Sequence, residues 1–91
     1  RSMLDTRYRL ASTYAPGDLR STADAGLNSG YKVRAHVIAD LKAMGLTGTA
    51  VQESGNLYKV RVTGLASRAA ADSAVVRIKA KLGGSPFVLA P

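Results

Sequence analysis

The sequence predicts an α+β domain built as a two-layer sandwich, an antiparallel sheet with two helices on one of its faces. Two observations predict it. From residue 33 onward the apolar spacing switches between helical and strand periods in the order helix, strand, strand, helix, strand. The Ser-Gly-Asn turn between the first two of these strands is short, so they pair as an antiparallel hairpin. A third observation bounds the size: 91 residues, 46% of them apolar, make one small domain with an adequate core.

Residues 1–32 read as an irregular N-terminal segment, and 33–91 as the regular domain. In the first part, "APGD", "STADAG" and "NSG" are turn and loop chemistry. Within it "TRYRLAS", residues 6–12, is a candidate strand, with Tyr8 and Leu10 on one face and Arg7 and Arg9 on the other. Val37, Ile38, Leu41, Met44 and Leu46 then follow helical spacing. Asn28 or Ser29 could cap the start of that helix, and Gly45 suits its C-terminal exit. "TGTAVQESGN" is a strand ending in a Ser-Gly-Asn turn, and "LYKVRV" is the clearest strand of the chain. Its alternation puts Tyr58, Val60 and Val62 on one face and Leu57, Lys59 and Arg61 on the other. The short turn joins the two strands as an antiparallel hairpin. Ser67 is placed to cap a second helix, Arg68 to Leu82, whose core stripe is Ala71, Val75, Ile78 and Leu82. Arg77, Lys79 and Lys81 lie toward its C-terminal end, where the helix dipole favours cations. Gly83-Gly84 ends the helix, and "SPFVLA" is a last strand whose proline marks its first residues or an edge.

Composition narrows the function classes. Thirteen Lys and Arg against six acids give a net charge of +7, a surface that attracts polyanions: nucleic acid, acidic membrane or wall polymer. The plain alternative is charge that merely keeps the protein in solution. There is no cysteine, hence neither a disulfide framework nor a thiolate metal site. No apolar run approaches the ~20 residues that cross a bilayer, so membrane insertion is not expected. "RSMLDTRYRL" has no apolar signal region, and its Arg-Ser-Met opening reads as a cloning scar. His36 is the single histidine, on the first helix, which suits a packing or surface residue better than a metal ligand. The same scarcity leaves no Ser-His-Asp set, and "GLTGTA" lacks the Lys and spacing of a phosphate loop. The expectation is no catalysis, no metal and no cofactor.

The combination "VIADLKAMGLTGTAVQESGNLYKVRVTGLASRAAADSAVVRIKAKLGGSPFVLAP", residues 37–91, resembles a SPOR domain, the peptidoglycan-binding module of bacterial division and envelope proteins. "YKVRV" and the "SRAAADSAVVRIKAKLGG" helix with its glycine exit carry most of the likeness. Thr63-Gly64-Leu65 departs mildly from the Gly-Pro-aromatic usual after the third strand. Upstream the departure is larger, because no Gln-x-Gly-x-Phe first strand precedes Val37. Instead "LDTRYRLASTYAPGDLRSTADAGLNSGYKVRAHVIADLKAM", residues 4–44, resembles the front of a VanY-type D-alanyl-D-alanine carboxypeptidase. The two likenesses overlap on "VIADLKAM", which suggests a chimera, natural or engineered.

The SPOR resemblance implies a ferredoxin-like βαββαβ sandwich whose first strand lies in the middle of the sheet, here replaced by a segment foreign to the family. An unfilled gap would strand backbone donors and acceptors. Either "TRYRLAS" fills it or a second chain does, by strand exchange in a homodimer. The resemblance also implies glycan binding across the open sheet face by Leu57, Lys59, Arg61 and Gln52. The expected function is therefore a non-catalytic peptidoglycan-binding module, with peptidoglycan glycan strands as partner. Its expected location is the periplasm or cell envelope for a natural chain, and undefined for an engineered one. The alternatives are a recombined domain with no retained activity, and weak nucleic-acid binding by charge. Specific nucleic-acid binding is not expected, because the exposed positions of "LYKVRV" offer no aromatic for base stacking.

Overall fold

"LYKVRVTGL" organises the molecule: its inward residues Tyr58, Val60 and Val62 are all but fully buried, and strands pair on both its sides. The computed structural model describes residues 7–15, 17–27 and 31–91. Along them run β1 (Tyr8–Tyr14), α1 (Arg20–Asp24), α2 (Tyr31–Ala43), β2 (Gly48–Ser54), β3 (Leu57–Leu65), α3 (Arg68–Leu82) and β4 (Phe87–Leu89). The sheet order is β2-β3-β1-β4, every neighbouring pair antiparallel. The helices form the second layer: α2 lies on β2, and α3 on β1, β3 and β4.

The gap in the sheet is filled by the chain's own N-terminal segment. β1 sits between β3 and β4 and pairs with both, so its backbone groups are met on either side. The strand runs two residues further than "TRYRLAS", to Tyr14, while Thr6 and the Arg-Ser-Met opening lie outside the described residues. Leu10, Ser12 and Tyr14 face the helices, and Arg9 and Thr13 face away. Between Tyr8 and Leu10 the register slips: Tyr8 pairs with Leu65 but Leu10 with Val62, so Thr63 and Gly64 together oppose Arg9. Gly64 takes φ +76°, open to a residue without a Cβ, and the extra residue turns Leu65 back into the core.

Each helix closes by an identifiable device. Ser67 accepts a hydrogen bond from the Ala70 amide at 3.0 Å and caps α3, which spans the expected Arg68–Leu82. At the end of α2 the Leu46 amide donates to the Leu41 carbonyl and the Gly45 amide to that of Lys42, with Leu41 and Leu46 both buried, a Schellman exit. Asn28 and Ser29, the expected caps of α2, fall outside the described residues. Val33, Val37 and Leu41 are the buried stripe of α2, and Ile38 and Met44 only flank it. In α3 Ala74 takes the fully buried place expected of Val75, which is partly buried and packs at the edge of the core.

α1 was not foreseen. "RSTAD" has no apolar period, and the sequence reads as loop there. Its helix is set from outside: Leu19 is buried just before it, Thr22 is buried and donates to the Leu19 carbonyl at 3.0 Å, and Arg20 reaches the Ala80 carbonyl of α3 at 2.9 Å.

Tyr14 joins the two ends of the chain, its buried hydroxyl donating to the Gly83 carbonyl at 2.8 Å. Burial raises the pKa of this phenol above its ordinary 10.0, opposed in lesser part by Ser12, whose own buried hydroxyl lies outside hydrogen-bond geometry. Tyr14→Phe is expected to cost about 1–2 kcal/mol, the loss of one buried hydrogen bond, read from urea unfolding at neutral pH. Because the folded pKa lies above the unfolded one, the parent loses stability as pH rises from about 10 through the folded value. The Phe variant lacks that part of the alkaline decline, so the two curves should converge at high pH.

Candidate binding face of the sheet

Strand alternation and register assemble the helix-free face. On β3, Leu57, Lys59, Arg61 and Thr63 point away from the helices. On β2, Gln52 is the register partner of Lys59, Ala50 of Arg61 and Ser54 of Leu57. On the other side, Thr13 of β1 lies opposite Lys59 and Ala11 opposite Arg61. β4 then places Phe87 beside Ala11 and Leu89 beside Arg9. Two rows result across the sheet, Gln52–Lys59–Thr13 and Ala50–Arg61–Ala11–Phe87. Leu57, Lys59, Arg61 and Gln52 thus share one face, as neighbours.

The face has one sign of charge. Arg9, Lys59 and Arg61 project from it and make no hydrogen bond or ion pair with the described residues. The one acid in the four strands, Glu53, lies on the helix side, where it accepts from Arg34 at 2.7 Å and from the Tyr58 hydroxyl at 3.4 Å. Apolar groups flank the cations: Phe87 is 54% exposed and Leu57 38%. Arg9, Ala11, Arg61, Thr63 and Leu89 help line a shallow groove of about 240 Å³ beside the bulge. Guanidinium and ammonium groups here can donate to hydroxyls and carboxylates, and an exposed ring can stack on a flat ligand face.

Three members of the face were missed from sequence. Arg9 and Thr13 belong to a strand read only as a candidate, although its alternation had set Arg9 apart from Leu10. Phe87 lies in a strand of three residues, too short to show a period, and it brings to this face an aromatic that the exposed positions of "LYKVRV" do not offer.

A second hollow, about 460 Å³, opens on the opposite side among α1, α2 and α3. It corrects the expectation that no Ser, His and Asp come together. Ser21 Oγ donates to Asp40 Oδ2 at 2.5 Å and lies 3.1 Å from His36 Nε2, which is 3.6 Å from the same carboxylate oxygen. His36 and Asp40 lie one turn apart on α2, and Ser21 meets them because α1 folds down onto α2. The arrangement is not that of a nucleophilic triad, where the base takes the serine proton through one ring nitrogen and the carboxylate holds the other. Here Asp40 engages the serine hydroxyl itself and faces the same nitrogen, so the cluster fastens α1 to α2. Among the described residues no group of three or more His, Cys, Asp or Glu is placed to hold a metal. None of their helices is long and apolar enough to cross a membrane.

Comparison with the curated proteins and with the solved structures finds no match. A family model does match, described as SPOR domain, over residues 35–90; the preceding residues, β1 and α1 included, lie outside it. Since that match covers most of α2 and all of β2, β3, α3 and β4, more than half of the chain, the protein belongs to the SPOR domain family.

Proposed function

We propose that this chain is a non-catalytic peptidoglycan-binding module of the bacterial envelope and that its helix-free sheet face receives a glycan strand. The observation that carries the reading is the assembly of Leu57, Lys59, Arg61 and Gln52 on that face, extended by Arg9, Thr13 and Phe87 from strands on its other side. A flat face with donors set between apolar side chains suits a sugar chain, whose hydroxyls and ring faces alternate. Family membership supports the ligand class and a periplasmic or envelope location. The test is co-sedimentation with purified sacculi across a salt series, before and after an amidase strips the stem peptides. Pelleting that improves on stripping and survives moderate salt supports a working site. Pelleting that salt abolishes, or none at all, leaves only general charge attraction, as expected of a recombined domain without retained activity. The chimeric origin itself rests on the sequence likeness of residues 4–44.

The working unit is a monomer in this reading, because β1 occupies the place that an exchanged strand would take. Light scattering on the eluted peak should give the single-chain mass of 9.5 kDa. A mass twice that would restore the strand-exchanged dimer.

A second reading, weak binding of single-stranded nucleic acid, is favoured by one observation, the exposed Phe87 beside the cations. One ring gives one stacking position, so any such binding should fall steeply with salt.

A further inference from the structure

The groove beside the β3 bulge has features that the general reading does not use. Arg9 and Arg61 stand diagonally across the β1–β3 pair: Ala11, two residues from Arg9, is the register partner of Arg61. Diagonal positions on one sheet face lie about 7–8 Å apart at the backbone, within reach of two long side chains converging on one group. Both help line the groove together with Thr63, whose hydroxyl donates to the Gly48 carbonyl of β2 at 3.3 Å. Neither guanidinium has a partner among the described residues, and no acid of the strands shares the face. Two unpaired like charges held as neighbours are unfavourable in the empty protein and are relieved by an anion placed between them. The guanidinium fork matches a carboxylate in particular, through paired hydrogen bonds that an ammonium cannot reproduce. Arg9 also lies upstream of the family match, on the strand that this chain supplies from its own N-terminal segment.

We propose that Arg9 and Arg61 form a carboxylate clamp, and that through it the protein discriminates glycan strands bearing free carboxylates from strands of the same length in which those groups are neutral. This rests on the glycan-binding reading and deepens it: Phe87, Leu57 and Gln52 address the sugar chain, while the clamp reads its charge. Arg9 is then a specificity residue contributed by a strand that precedes the family match.

The probes are soluble glycan strands released from amidase-treated sacculi, used as isolated and after carbodiimide coupling to methylamine, which turns each carboxylate into a neutral amide. Affinities are measured by calorimetry at moderate salt for the parent, Arg9→Gln, Arg9→Lys and Arg61→Gln. The parent should bind the untreated strands about tenfold more tightly than the amidated ones, the order expected for a charge-assisted contact at a partly solvated site. Arg9→Gln and Arg61→Gln should each bring the two affinities close together by weakening only the untreated strand. Arg9→Lys should keep part of the preference, since it retains the charge and loses the fork. Arg9 is exposed, so its variants should fold, which their thermal transitions check. Equal affinity of the parent for both strands overturns the clamp and leaves glycan binding standing. A parent preference that Arg9→Gln leaves unchanged likewise removes Arg9 from the role. Failure of the parent to bind either strand overturns the glycan reading itself and the clamp with it.

Discussion

Gly84→Ala is expected to destabilise the protein by about 3 kcal/mol and to lower its melting temperature by about 15 °C. Two costs combine. Gly84 takes φ +75°, where an alanine costs about 1–2 kcal/mol. A Cβ there would also stand 2.5 Å from Tyr14 Cε2 and 3.1 Å from Cζ, well inside contact distance. The ring cannot yield cheaply, because it is fully buried and its hydroxyl is fixed to the Gly83 carbonyl next door. Overpacking of this kind costs about 1–3 kcal/mol. Gly55→Ala is the control: it too has a positive φ, +62°, but a Cβ there meets nothing within 4 Å. Urea unfolding should therefore show a loss of about 1–2 kcal/mol at Gly55 and roughly twice that at Gly84. Equal losses would mean that the Tyr14 ring moves aside and that the seal between β1 and the end of α3 is loose.

That seal shows where the sequence is legible and where it is not. β3 and α3 announce themselves, since a full alternation and a capped helix with a glycine exit are local patterns that tertiary contacts only reinforce. β1 is half-legible. Its inward row is Tyr8, Leu10, Ser12 and Tyr14, with a hydroxyl on three of four side chains, so alternation of polarity is faint although alternation of burial is strong. What makes the segment a strand is non-local: β3 and β4 offer it hydrogen bonds on both sides, and α3 offers Tyr14 an acceptor. α1 is more extreme, five residues held by Leu19, Ser21 and Arg20 through contacts to α2 and α3 that no window of sequence contains. Ala74 takes the fully buried place and Val75 the flank of the core for a related reason: where a helix lies close on a sheet, the smaller side chain fits the contact and the larger packs at its edge. The binding face follows the same division. Lys59 and Arg61 are readable from one strand's alternation, whereas Arg9 and Phe87 join them only through register, a property of strand pairs.

Replacing Lys59 and Arg61 together by alanine should reduce binding to stripped sacculi about a hundredfold at moderate salt, two contacts of about tenfold each acting on one ligand. The reduction has to be separated from the fall in general charge, because a protein of net +7 is drawn to any anionic polymer. Lys42→Ala with Lys79→Ala supplies the comparison: both residues are exposed, both lie on helices at the other side of the molecule, and the pair removes the same two charges. If the sheet face is the site, the helix-face variant keeps most of its pelleting and the sheet-face variant does not. Salt sharpens the contrast, since diffuse attraction decays within a Debye length of about 8 Å at physiological ionic strength while donors in contact with the ligand are screened much less. Neither pair should disturb the fold, as none of the four side chains is buried and none is hydrogen-bonded to the described residues. Matching losses in the two variants would mean that the polymer feels only the charge of the whole protein. The shared face of Gln52, Leu57, Lys59 and Arg61 would then be an exposed sheet surface kept in solution by its cations, and the carboxylate clamp would fall with it. A loss confined to the sheet-face variant would instead make β3 the centre of the contact, with β1 and β4, on its far side from β2, setting what the ligand must carry.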